Sequence, residues 1–77
     1  MVTPDFHVER QRLLLLMKSA PDHYELAFAS AEHAGYLRGL RDAGVVGGAA
    51  HELYAAQAEQ VAKDSLARLC AALGEVA

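Results

Sequence analysis

The last third of the chain has the cleanest alternation of apolar and polar positions. His51, Tyr54, Ala55, Ala58, Val61, Ala62, Ser65, Leu66, Leu69 and Leu73 recur at roughly 3.6-residue spacing, while Glu52, Gln57, Glu59, Gln60, Lys63 and Asp64 fill the opposite side. This predicts a helix over about 48–73 with one buried face. Glu59–Lys63 and Asp64–Arg68 are spaced i,i+4 with the acid first, the favourable order for pairs on a solvated face.

The middle third has two apolar stripes. Leu26, Ala29, His33, Tyr36, Leu37 and Leu40 form one; Tyr24, Phe28, Ala31, Gly35 and Gly39 form the other. The predicted helix spans about 21–43, opened by Pro21-Asp22 and stopped by Gly44. Two stripes imply contacts on two sides. Ala31, Gly35 and Gly39 line up as a small-residue groove that another helix can approach closely. In the first third, Thr3-Pro4-Asp5 supplies a cap and a proline fit for the first turn, and Ser19-Ala20-Pro21 ends the segment, predicting a helix over about 4–19. Its run Leu13 to Met17 belongs to no single face, which suggests cover by a second chain. A buried strand is the other reading of that run. Leucine and methionine favour helix.

The short link 44–48 makes the second and third segments antiparallel neighbours, with Leu37 near Tyr54 and His33 near Ala58. Ala55, Ala58 and Ala62 on this seam suggest a tight helix pair. The stretch Gly35 to Val46 followed by Glu52-Leu53-Tyr54 resembles the generic helical hairpin of small bacterial and phage proteins, without a family signature. The expected fold is all-α: a long antiparallel helical hairpin with an additional N-terminal helix, one domain over 1–77, assembling into a dimeric helical bundle.

Composition narrows the function. The chain has 77 residues, 53% hydrophobic and 22% charged, with net charge −3 and a single cysteine. One cysteine excludes an intrachain disulfide and a cysteine-based zinc cluster. Domains of this size usually need a disulfide, a metal or a partner, so a two-fold dimer is expected. Leu13, Leu14, Leu16, Met17, Ala31, Gly35 and Gly39 are the candidate dimer contacts. No apolar run reaches the length of a signal or membrane segment, so a cytoplasmic protein is expected. His7, His23, His33 and His51 lack the spacing of metal ligands. Cys70 near a helix C-terminus sits at the wrong dipole sign for a thiolate. No catalytic, cofactor or metal site is expected.

The leading expectation is a small non-enzymatic interaction module, a homodimeric regulator, adaptor or inhibitor of a larger protein, of the kind found in phages and other mobile elements. Tyr24, Phe28 and Glu32, with Arg10 and Arg12, are the candidate partner-binding residues, because Tyr and Arg often dominate interface energies. The alternative is a nucleic-acid-associated regulator in which Arg10, Arg12, Lys18, Arg38 and Arg41 form one basic strip across a dimer, against which the net acidity weighs.

Overall fold

The computed structural model describes residues 4–74. It contains α1 (Pro4–Lys18), α2 (His23–Asp42) and α3 (Gly48–Ala72), and no strand among the described residues. Each pair of helices is in contact, and the molecule measures 44 × 20 × 16 Å.

Local chemistry sets the boundaries. Thr3, the expected cap of α1, lies outside the described residues. At the other end of α1, the Ser19 hydroxyl donates to the Leu15 carbonyl at 2.8 Å, and Pro21 prevents continuation. Asp22 is the N-cap of α2: its backbone is extended and its carboxylate accepts the Glu25 N–H at 2.8 Å. The helix therefore starts at His23 and not at Pro21, because Pro21-Asp22 forms the entry to the first turn. At the C-terminus, Gly44 adopts φ +76°, its N–H reaches the Arg41 carbonyl at 3.0 Å, and the Val45 N–H reaches the Leu40 carbonyl at 2.9 Å. This paired arrangement closes α2 and needs a residue at ease in the left-handed region.

The interior falls into two apolar lobes. Leu14, Met17, Ala20, Leu26, Ala29, Ala58 and Leu69 form one, with Val61 and Ala62 against it. Phe6, Leu37 and Val46 form the other, with Tyr36, Leu40 and Tyr54 among the side chains packed on it. Phe6 is the plug of the second lobe, stacked on Tyr36 with ring centroids 6.1 Å apart and tilted against Tyr54 at 5.4 Å. Between the lobes lie two buried polar side chains, Arg10 from α1 and His33 from α2.

Several sequence expectations change here. The Leu13–Met17 run is helical and is divided between inside and outside: Leu13, Leu14 and Met17 are buried within this chain, while Leu15 and Leu16 are exposed. Three of the candidate dimer residues are thus already covered without a second copy. Ala31, Gly35 and Gly39 are exposed, and a Cβ added to either glycine meets nothing within 4 Å, so no helix of this chain occupies that stripe. Glu59 and Lys63 do pair, at 3.4 Å. Asp64 and Arg68 do not: Asp64 accepts from the Gln60 amide at 3.0 Å, and Arg68 donates to the Ala20 carbonyl at 2.9 Å, tying α3 to the α1–α2 turn.

Candidate functional site

Two surface grooves and the polar layer between the lobes carry the unusual chemistry. The first groove runs between the end of α1 and the start of α2. Leu16, Pro21, Phe28 and Glu32 line it. Phe28 is 56% exposed, Leu16 42% and Tyr24, one turn before Phe28, 76%. Arg12 stands on the same side. Its guanidinium Nε donates to Glu9 at 3.0 Å, a second bond runs from Nη2 to the same carboxylate oxygen, and this pairing, with a weaker pull from Glu32, strengthens its hold on its proton. The same bonds hold the Glu9 carboxyl below the usual range. The structure therefore brings together Arg12, Phe28 and Glu32, with Leu16 beside them and Tyr24 at the edge.

Arg10 is not part of that surface. It is only 6% exposed, its guanidinium lies 4.2 Å over the Tyr54 ring centroid, and Nη2 donates to the Gln57 side-chain oxygen. Positions two apart on a helix point to nearly opposite sides, so Arg10 and Arg12 cannot share a face. Within one chain the five basic residues of the alternative reading are not contiguous: Arg10 is buried, Arg12 is paired with Glu9, and Arg38 and Arg41 line a different groove.

Arg10 and His33 are held at an energetic disadvantage. Arg10 Nε and His33 Nε2 are buried with no hydrogen-bond partner. Burial, followed by the nearby Arg10 charge, pushes the His33 imidazole below its ordinary value, so the neutral ring is favoured. Burial likewise lowers the proton affinity of Arg10.

The second groove, between α2 and α3, has a volume of about 610 Å³. Ala34 and Leu37 face Ala55, Ala58 and Ala62, with Met17 below and His33 also contributing. Sequence reasoning read these alanines as a sign of close helix approach. Their short side chains also leave an opening at the surface. Arg38, Arg41, Asp42 and His51 surround the end nearest the α2–α3 link, and Ser30 and Glu59 the other. The signal that could have found this groove is the pairing of Ala34 with the alanine row of α3, next to two arginines one turn apart.

Among the described residues no three His, Cys, Asp or Glu side chains gather as metal ligands. Cys70 is half-buried, with its Sγ 3.8 Å from His23 Nε2. No helix of the described residues is long and apolar enough to cross a membrane. The described residues form a small three-helix chain with exposed apolar side chains and two surface grooves. No family model matches the sequence, and neither a curated protein nor a solved structure matches it.

Proposed function

We propose that this chain is a non-enzymatic protein-binding module, working in the cytosol as a homodimer in which α2 and α3 form an antiparallel hairpin and α1 lies across it. In this role it regulates or adapts a larger protein. The observation that carries the reading is the exposed face shared by α1 and α2, where Leu16, Tyr24 and Phe28 continue into the bare stripe Ala31, Gly35, Gly39. Exposed Tyr and Phe are typical anchors of binding energy, and a row of small residues admits a second helix at short distance. The occupant is a second copy. The face carries both Arg12 and the acids Glu25 and Glu32, so a two-fold axis can set unlike charges against each other.

The test is molar mass by light scattering across the micromolar range. The wild type is expected at twice its 8.2 kDa, and Phe28→Glu at 8.2 kDa with unchanged helical circular dichroism. A wild-type monomer, or a dimer indifferent to Phe28→Glu and Gly35→Leu alike, overturns the proposal.

A further inference from the structure

We propose that the groove between α2 and α3 binds a small amphipathic anion: a medium-length acyl carboxylate whose chain lies along the alanine walls and whose head group sits between Arg38 and Arg41. The size is that of a ligand site. About 610 Å³ falls in the ~300–1,000 Å³ range of small-molecule pockets, which are apolar with a few polar groups at fixed places. The walls are apolar along the middle, formed by Ala34, Leu37, Ala55 and Ala58.

Charge distinguishes the two ends. Arg38 and Arg41 lie one turn apart on the same wall, and among the described residues neither guanidinium has a hydrogen bond or ion pair. His51 stands at this end on the facing helix, and Asp42 is the only carboxylate of the lining there. One acid against two guanidinium groups leaves that end positive. At the opposite end Glu59 is engaged by Lys63 at 3.4 Å and is locally neutralised. An anionic head therefore has one place to go, where two adjacent guanidinium groups can donate several charge-assisted hydrogen bonds to a carboxylate.

The lining of this groove shares no residue with the α1–α2 groove or with the Ala31, Gly35, Gly39 stripe, but Arg38 lies one turn from Gly35, so the monomeric chain is included in the test. The probe is dodecanoate below its micelle concentration, titrated into the full chain by calorimetry and by amide chemical-shift mapping. Saturable one-to-one binding is expected, with shifts centred on Ala34, Ala55 and Ala58. An Arg38→Gln/Arg41→Gln double variant should bind at least about tenfold more weakly. Dodecanol, with the same chain and no charge, should not distinguish the double variant from the wild type. Ala55→Leu, a change on an exposed wall, should block the groove while leaving helical content intact. The monomeric Phe28→Glu chain should bind as the wild type does, which separates this result from the fate of the dimer. No saturable binding, dodecanoate affinity unchanged by the double substitution, or binding that survives Ala55→Leu would each overturn the assignment.

Discussion

Arg10 shows how a charged side chain can act as packing material. Its guanidinium covers the Tyr54 ring and reaches Gln57, yet Nε stays unpartnered and burial disfavours the charge. Much of what it contributes is therefore the stem and the ring contact, not the ion. Arg10→Ala should lower stability by about 2 kcal/mol in urea titration, through lost packing and an emptied space. Arg10→Met should stay within about 1 kcal/mol of wild type, because it fills the space without a buried charge. Equal losses in the two variants would show that the charge itself matters.

His33 gives a pH signature. Its folded-state value lies below the roughly 6.5 of an unfolded chain, so below that pH the unfolded state takes up the proton first. Its contribution is present in full above about pH 6.5 and is lost progressively as the pH falls. Arg10 faces the ring from α1, while His51 and Glu59 of α3 share the groove it borders. The urea midpoint should drop between pH 7.5 and 5.5, and His33→Leu should flatten part of that drop. An unchanged slope in His33→Leu would overturn this assignment.

At the scale of the element, the exposed stripe of α2 separates monomer from assembly. Gly35 meets no neighbour, so Gly35→Leu should raise the stability of the single chain by up to about 1 kcal/mol through helix propensity. The same change should weaken the proposed dimer, where a leucine would hold the second helix away. Ala56→Leu, on the exposed surface of α3, should alter neither mass nor midpoint by much. Comparing molar mass and denaturant midpoint for the two variants checks both halves of this expectation.

The three helices were legible because their punctuation is strong: Pro21 cannot continue α1, Asp22 caps α2, and Gly44 takes a conformation other residues resist. The buried stripe of α1 was harder to read. Phe6, Arg10, Leu13, Leu14 and Met17 have helical spacing, but an arginine inside the stripe and two outward leucines beside it disguise the period. Of the candidate surface, Phe28 and Glu32 follow from one-turn spacing on a single helix. That Arg12 joins them across α1, and Arg10 does not, depends on the rotation of α1, which the mixed leucine run leaves undetermined.

For the whole molecule, a chain of 77 residues measuring 44 × 20 × 16 Å has little depth in which to hide apolar surface. Tyr24, Phe28, Leu53, Leu66 and Leu73 all remain exposed. If α2 pairs with its copy as proposed, the melting temperature should rise with protein concentration, since association stabilises the folded form by mass action. A melt independent of concentration over two decades would count against the dimer.

The polar layer of Arg10 and His33 also governs alignment. Leucine and alanine at every level would let one helix slide past another by a turn and find nearly equivalent partners. With an arginine and a histidine set between two apolar lobes, such a slide would carry a charge into one lobe and leave apolar side chains facing polar ones in the other. On this argument the pair gives up some stability in the correct arrangement and should cost more in each shifted one. Its consequence is selection of one alignment of α1 on α2 and α3, to be read from a double Arg10→Met/His33→Leu chain that keeps its stability but loses sharp amide dispersion.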